Sequence, residues 1–287
     1  GKGNDQVRIE LSIFYFAPNL KIIAPLREWE LKSREEEMVY AKKHHIPVST
    51  TKANPYSIDK NLWGVSIECG VLEDPDQEPP EDAWDITNPI NKTPSNPEYI
   101  TINFDKGIPQ RLNGNKYELS SLIVELNEIG AKHGIGRIDM VENRLVGIKS
   151  RELYEAPAAV ILHKAIAEIE ALTLDRETIQ FKEIVSNKYS QLVYYGLWYS
   201  DLKEALDSFL EQIHQNTTGE VKLKLHRGNC IVAGRKSPNS LYNMRMATYS
   251  PQDIFDHKSA KGFIELFGLP LKIKALKRIK NNQIKKK

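Results

Sequence analysis

Cysteine is nearly missing from this sequence: Cys69 and Cys230 are the only two among 287 residues, and they lie far apart. That scarcity excludes a disulfide framework and a ribbon-type zinc site, and it makes a reduced, cytoplasmic setting the default. Long hydrophobic runs are missing too. No apolar stretch approaches the ~18 residues that a membrane-crossing helix needs, so no membrane partner is expected. The opening, Gly1-Lys2-Gly3-Asn4-Asp5, has neither an initiator Met nor a hydrophobic stretch after its basic residue, so it is no signal peptide. It reads as a chain beginning part-way through a longer protein. A charge excess of one sign is also lacking: 40 Lys and Arg stand against 38 Asp and Glu, a net +2, which predicts no polyanion partner and no nucleic acid. Only the tail departs from this balance, with eight Lys or Arg and no acid from Leu271 to Lys287.

What is present is ordinary globular material, 40% hydrophobic and 27% charged, enough for one large core or two modest ones. Asn4 to Phe16 has helical spacing. Lys21 to Ala24, ended by Pro25, reads as a short buried strand. Ser33 and Glu36 form a capping box that opens a helix through Met38 and Ala41 to His44 and His45. With Ile46-Pro47-Val48 this looks like the closing part of a parallel α/β layer. Six of the fifteen prolines then fall between residues 73 and 97, marking a long surface excursion. Tyr99 to Phe104 alternates as a strand. Ser120 to Lys132 is helical, and Pro157 suits the first position of a mostly apolar helix to Leu172. Leu202 to Ile213 carries a helical apolar stripe behind Ser200-Asp201. Val221 to Leu225 and Cys230 to Ala233 form a hairpin across Arg227-Gly228-Asn229. The class is α/β at the start and mixed α+β afterwards.

Three clusters carry polar chemistry. Gly1-Lys2-Gly3-Asn4-Asp5-Gln6-Val7-Arg8 puts glycines and a lysine ahead of a helix, where backbone N–H groups can approach an anion; taken alone it is read more simply as a glycine turn capped by Asn4. Residues 54–68, from Asn54-Pro55-Tyr56-Ser57 to Val65-Ser66-Ile67-Glu68, read as a polar loop, dense enough in donors and acceptors to line a site for a zwitterion. Gly134 to Glu155 interleaves charges with apolar residues as a strand pair does, a pattern that structural ion pairs also produce.

In this order and spacing the three clusters resemble the argininosuccinate synthases. The likeness resumes at Leu192-Val193-Tyr194-Tyr195-Gly196-Leu197-Trp198 and at Ser237-Pro238-Asn239-Ser240-Leu241-Tyr242, and it reaches Gly262-Phe263-Ile264. The resemblance implies an ATP-dependent carbon–nitrogen ligase, with Mg2+ accompanying the ATP, that joins citrulline to aspartate through a citrullyl-AMP intermediate. It implies Asn4 and Asp5 as aspartate ligands, and Asn4, Arg8, Ser57, Ser66, Glu142 and Tyr154 as citrulline ligands. It singles out no catalytic residue and no protein-bound metal. It further implies a cytoplasmic homotetramer, with residues 1–48 ending a parallel-sheet nucleotide-binding domain, 49–268 a synthetase domain, and 269–287 a basic helix for subunit contact. Two features depart from the family pattern. Glu152 stands where glycine is usual after Ser150-Arg151, and the Ser-Gly-Gly loop that cradles the pyrophosphate of ATP does not occur, nor does the threonine that precedes Gly1 in the pattern. The second departure raises the alternative of a non-catalytic, citrulline-binding or assembly fragment.

Overall fold

The computed structural model describes residues 3–31, 33–48 and 55–284, for Arg34 and Glu35 the backbone alone. Gly1 and Lys2 of the opening cluster and Asn54 of the second lie outside the described residues. The chain forms two compact units, Gly1–Leu241 and Tyr242–Lys287.

In the larger unit, helix α1 spans Asn4–Phe16 and α2 spans Arg34–Lys43. The capping box of α2 is formed: Glu36 N donates to Ser33 Oγ, and Ser33 N donates to the Glu36 carboxylate. Between the helices the expected strand is not formed. Lys21 to Ala24 is irregular, Ile23 is 79% exposed, and Pro25–Arg27 makes one 3-10 turn. A three-residue apolar run becomes a strand only where a neighbour satisfies its backbone groups. The expected loop, conversely, is a hairpin. Strands β1 (Ser57–Lys60) and β2 (Val65–Glu68) pair antiparallel. Asn61 closes the turn, its Oδ1 accepting from Trp63 N at 2.8 Å and Gly64 N at 3.2 Å, an Asx turn.

Strand β3 (Glu98–Asp105) buries Ile100, Ile102 and Phe104 in strict alternation. It leads into β4 (Ile108–Leu112), β5 (Asn115–Lys116) and helix α3 (Leu119–Lys132). The charged strand pair follows as β6 (Arg137–Asn143) and β7 (Lys149–Glu155). Pro157 is the first residue of α4 (Pro157–Thr173), and α5 (Arg176–Tyr194) and α6 (Asp201–Ile213) complete the helices of this unit. The last hairpin is β8 (Gly219–His226) with β9 (Asn229–Lys236).

Two antiparallel sheets result, ordered β5-β4-β3-β8-β9 and β1-β2-β7-β6. The α/β class read from the sequence stands. The five-stranded sheet carries the main core: Ile100, Ile102, Val221, Leu223 and Leu225 from the strands pack with Leu122 and Leu126 of α3 and Ile161 and Ile169 of α4. Each such side chain, removed from water, contributes about 1.5–3 kcal/mol. The four-stranded sheet has a smaller core of Val65, Ile67, Leu72, Ala83 and Leu153.

The smaller unit contains α7 (Met244–Ala247), α8 (His257–Phe267) and α9 (Leu269–Ile284). Among the described residues no helix is long and apolar enough to cross a membrane.

Candidate functional site

The proline-rich segment 73–97 is a surface excursion of short 3-10 turns, but it is fastened to the four-stranded sheet, most densely at Glu155. Glu155, fully buried at the end of β7, accepts from Asp85 N at 2.7 Å, Ile86 N at 3.1 Å and Thr87 N at 2.8 Å, and from Thr87 Oγ1 at 2.5 Å. Successive backbone N–H groups make a concave donor set that suits an anion, here a carboxylate. Arg137 secures the far side, its Nε donating to Thr87 Oγ1 at 2.7 Å while its guanidinium lies 4.7 Å from the Trp84 ring centre. This anchor fixes β7, and β7 carries Glu152 and Tyr154 into a cleft of about 370 Å3.

Six residues expected at the site line that cleft: Asn4, Asp5, Arg8, Ser66, Glu142 and Tyr154. Ser57 does not. It pairs with Glu68 at the outer end of β1, two residues from Asp59, which does line the cleft. Ser66 and Tyr154 are cross-strand partners on β2 and β7, and Ile138 of β6 also pairs with Tyr154. The cleft thus lies across the sheet and against the first turn of α1.

Asn4 does not cap its helix. Gly3 is the N-cap and offers no side chain, so the Asn4 amide reaches across the cleft instead. Its Oδ1 accepts from Leu145 N at 2.9 Å, and its Nδ2 donates to Tyr194 Oη at 2.6 Å. Tyr194 in turn donates to Glu142 Oε1 at 2.6 Å, and Tyr154 Oη stands 2.7 Å from Glu142 Oε2. Two tyrosines therefore hold the one carboxylate from α5 and β7. Burial, reinforced by that carboxylate, pushes the Tyr194 hydroxyl up to about 12 and raises Tyr154 well above the ordinary phenol range. Both remain protonated donors at neutral pH.

Arg8 packs on the same tyrosine: Nε donates to the Tyr194 carbonyl at 3.0 Å and the guanidinium sits 5.0 Å from its ring centre. The approach is possible because residue 196 is glycine. A Cβ there would stand 2.8 Å from Arg8 Cα, and the backbone has φ +73°, in the left-handed region. The Arg8–Asp5 pair at 3.0 Å is solvent-exposed and contributes little to stability.

The deeper end of the cleft is acidic. Arg144 pairs with Glu68 and, at 3.0 Å, with Glu152, and its Nε donates to Ser150 Oγ at 2.8 Å. Tyr154 Oη also lies 2.9 Å from Glu152 Oε2. Burial raises the Glu152 pKa, with the charges of Glu142 and Glu68 adding to it and Tyr154 and Arg144 opposing. Among the described residues no three His, Cys, Asp or Glu side chains converge as metal ligands.

Tyr194, Arg144, Glu68 and Asp59 join the site without having been singled out from the sequence. Tyr194 and Arg144 sit inside recognised motifs, which was a usable signal. Glu68 and Asp59 lie in the polar segment 54–68, but which of its residues face the cleft depends on a hairpin that read as a loop.

A sheet face offering carboxylates, phenols and one guanidinium to a cleft, closed by a helix N-terminus, is suited to an amino-acid ligand with charges of both signs. Residues 1–47 match the model described as the arginosuccinate synthase N-terminal HUP domain, and residues 56–274 match the arginosuccinate synthase C-terminal domain. The chain thus matches both domain models of a HUP-containing synthase. It is 57% identical over 272 residues to the argininosuccinate synthase of Chlorobium phaeobacteroides strain BS1, covering 95% of this chain and 68% of that protein. The argininosuccinate synthase of Aquifex aeolicus is 56% identical over 275 residues (95% and 69%). That of Bacillus pumilus is 56% identical over 276 residues (96% and 68%). The chain belongs to the argininosuccinate synthase family, and the enzyme is a ligase.

Proposed function

We propose that the cleft binds citrulline and, beside Asn4 and Asp5, aspartate, for an ATP-dependent condensation to argininosuccinate. The observation that carries this reading is the chain Leu145–Asn4–Tyr194–Glu142–Tyr154, which draws three separate motifs onto one carboxylate. Glu142 is the counter-charge for the citrulline ammonium, with Tyr154 and Ser66 supplying hydroxyls, Ser57 at the rim, and Arg8 and Asn4 facing the other end. The family relationship and the HUP-domain match of residues 1–47 support ATP as co-substrate; Mg2+ would travel with it, held largely by phosphate oxygens.

The ureido carbon is a weak electrophile with a poor leaving group. In this reading the ureido oxygen attacks the α-phosphorus of ATP and pyrophosphate leaves, giving citrullyl-AMP. The aspartate amine then attacks the ureido carbon, and AMP departs with the former ureido oxygen. What the protein supplies is alignment and electrostatic stabilisation.

Citrulline titrated into the protein by calorimetry tests the site. Glu142→Gln is expected to weaken binding by on the order of 1.5–3 kcal/mol, the value of a hydrogen bond to a charged group, with unchanged Tm. Unchanged affinity overturns the assignment.

The same reading includes a cytoplasmic homotetramer. In the smaller unit Phe263, Ile264, Leu266 and Phe267 of α8 are all more than half exposed, and Leu269, Ile273, Leu276 and Ile279 of α9 form an open apolar stripe beside the lysines. Deleting residues 271–287 is expected to shift light scattering toward smaller species. Intact assembly combined with lost salt-sensitive DNA binding would instead make the tail a nucleic-acid binder.

A further inference from the structure

The cleft holds more carboxylates than its phenol protons can serve. Tyr154 Oη lies 2.7 Å from Glu142 Oε2 and 2.9 Å from Glu152 Oε2, yet a phenol has one proton to donate. Tyr194 cannot help, since its hydroxyl accepts from Asn4 Nδ2 and donates to Glu142 Oε1. With both carboxylates ionised, one would set a bare lone pair against the phenol oxygen in a half-buried place, a costly arrangement. A proton on Glu152 Oε2 resolves the conflict. Glu152 then donates to Tyr154, Tyr154 to Glu142, Tyr194 to Glu142 from the other side, and Asn4 to Tyr194. Glu152 Oε1 meanwhile accepts from Arg144 Nη2 at 3.0 Å and stands 3.3 Å from Ser150 Oγ. Each polar atom of the chain has the partner its chemistry requires.

The surrounding charges favour the same placement. Glu142 on β6, Glu68 on β2 and Arg144 in the β6–β7 turn act on Glu152 directly. Asp59 of β1, Asp5 and Arg8 of α1, and Tyr194 of α5 line the rest of the cleft. Arg144 is shared between Glu68 and Glu152, so a single adjacent cation faces three carboxylates. The Glu152 side chain is the more enclosed of Arg144's two partners, 13% exposed against 32% for Glu68.

We propose that Glu152 is a specificity-determining residue of this cleft: it carries a proton while it donates to Tyr154, and it releases that proton when the ammonium group of an amino-acid ligand enters, so that Glu142 and Glu152 bind the cation as a carboxylate pair. The proposal rests on the reading of the cleft as the citrulline site. Only the Glu152 O–H bond breaks; the proton passes to solvent, and no redox partner or further reactant is involved. Two consequences follow from linkage. Citrulline affinity rises with pH between the ordinary carboxylate range and the raised Glu152 pKa, with a slope approaching about tenfold per pH unit. A citrulline analogue lacking the α-amine shows no such rise.

Two measurements test it. Infrared spectra of the protein, titrated with acid and base in the absence of ligand, are expected to show a protonated-carboxyl C=O band persisting above the ordinary carboxylate range and missing in Glu152→Gln; a spectrum without that band overturns the proposal. Calorimetry of citrulline binding, in buffers of different ionisation enthalpy at a pH where that band is present, is expected to show proton release approaching one per site, and none in Glu152→Gln. Binding without proton release, or with equal release by the variant, overturns it as well. Failure of citrulline to bind at all would sink the citrulline reading together with the coupling, while the infrared band would still decide where the proton lies.

Discussion

The two sheets of the larger unit put the same residue alternation to different use. In β3 and β8 every second side chain enters a continuous apolar core with α3 and α4, and residues such as Ile102 and Leu223 have no exposure at all. In β6 the alternation is almost wholly open, and Asp139 and Glu142 face Arg151 and Tyr154 instead of a core. One sheet is held by non-directional apolar burial, the other by directional contacts such as the Glu155 anchor and the tyrosine-held Glu142. Stability and chemistry thus reside in different layers, and substitutions that separate them should show it.

The largest effect is expected in the five-stranded sheet. Leu223→Ala removes a fully buried side chain from the centre of that core, and the expected cost is about 2–5 kcal/mol in denaturant unfolding. Citrulline affinity measured where the variant remains folded is expected to be unchanged, because no residue lining the cleft belongs to this layer's core. A parallel loss of affinity in the folded variant would break the division between the layers.

A smaller effect on stability, with a larger one on the site, is expected from Gly196→Ala. The new methyl meets the α1 backbone at Arg8 and requires a left-handed backbone at residue 196, which costs an L-residue about 1–2 kcal/mol. Relief comes from moving α1, and moving α1 withdraws Asn4 from Tyr194 and Leu145. Citrulline binding should therefore fall by more than Tm alone would suggest. Equal losses in both would mean that α1 does not set the site's geometry.

The same division governs what was legible in the sequence. Elements of the five-stranded layer announce themselves locally: the alternation of Tyr99 to Phe104, the spacing of Leu122, Leu126 and Ile129, Pro157 at a helix start, and the Arg227-Gly228-Asn229 turn all correspond to formed elements. The four-stranded layer is built from pairings that local pattern does not encode. Strand β1 is four residues with a single large apolar side chain, and its identity comes from β2, which in turn leans on β7. Lys21 to Ala24 erred the other way, an apolar run with no partner strand among the described residues. On α6 the expected stripe is partly turned outward, with Leu202 45% exposed, whereas Lys203 is buried, its ammonium 3.8 Å from the Trp198 ring centre and 2.7 Å from Asp207. A cation over an aromatic ring satisfies burial that an apolar scale assigns to leucine. At the site, family motifs brought six lining residues into view, but motifs say nothing of who holds whom. That Asn4 serves Tyr194, across 190 residues, rather than its own helix follows only from the fold.

The smallest effect concerns two glutamates, one buried and one half-buried, one in each layer, which should respond to pH with opposite sign. Glu170 of α4 is buried, which by itself would raise its pKa, but hydrogen bonds from His214 at 2.9 Å and Lys182 at 2.8 Å outweigh this and hold it below the ordinary carboxylate value. A depressed folded pKa means that the unfolded chain binds the proton more tightly. Glu170 therefore contributes stability that is present above the unfolded carboxylate pKa and lost as pH falls through the folded one. Glu152 is the reverse case. Its raised folded pKa gives a contribution that is present below the unfolded value and lost as pH rises through the folded one. Unfolding free energies measured from acid to neutral pH should thus separate the two variants. Glu170→Gln removes a loss of stability on the acid side of the ordinary carboxylate range. Glu152→Gln removes a decline on its neutral side, and above that window it narrows any deficit from the lost Arg144 contact. Because the windows adjoin without coinciding, the two differences from the wild-type curve should slope in opposite directions. If both slope the same way, Glu152 is held ionised like Glu170, and the contrast between a core that binds its charges and a site that strains them does not hold.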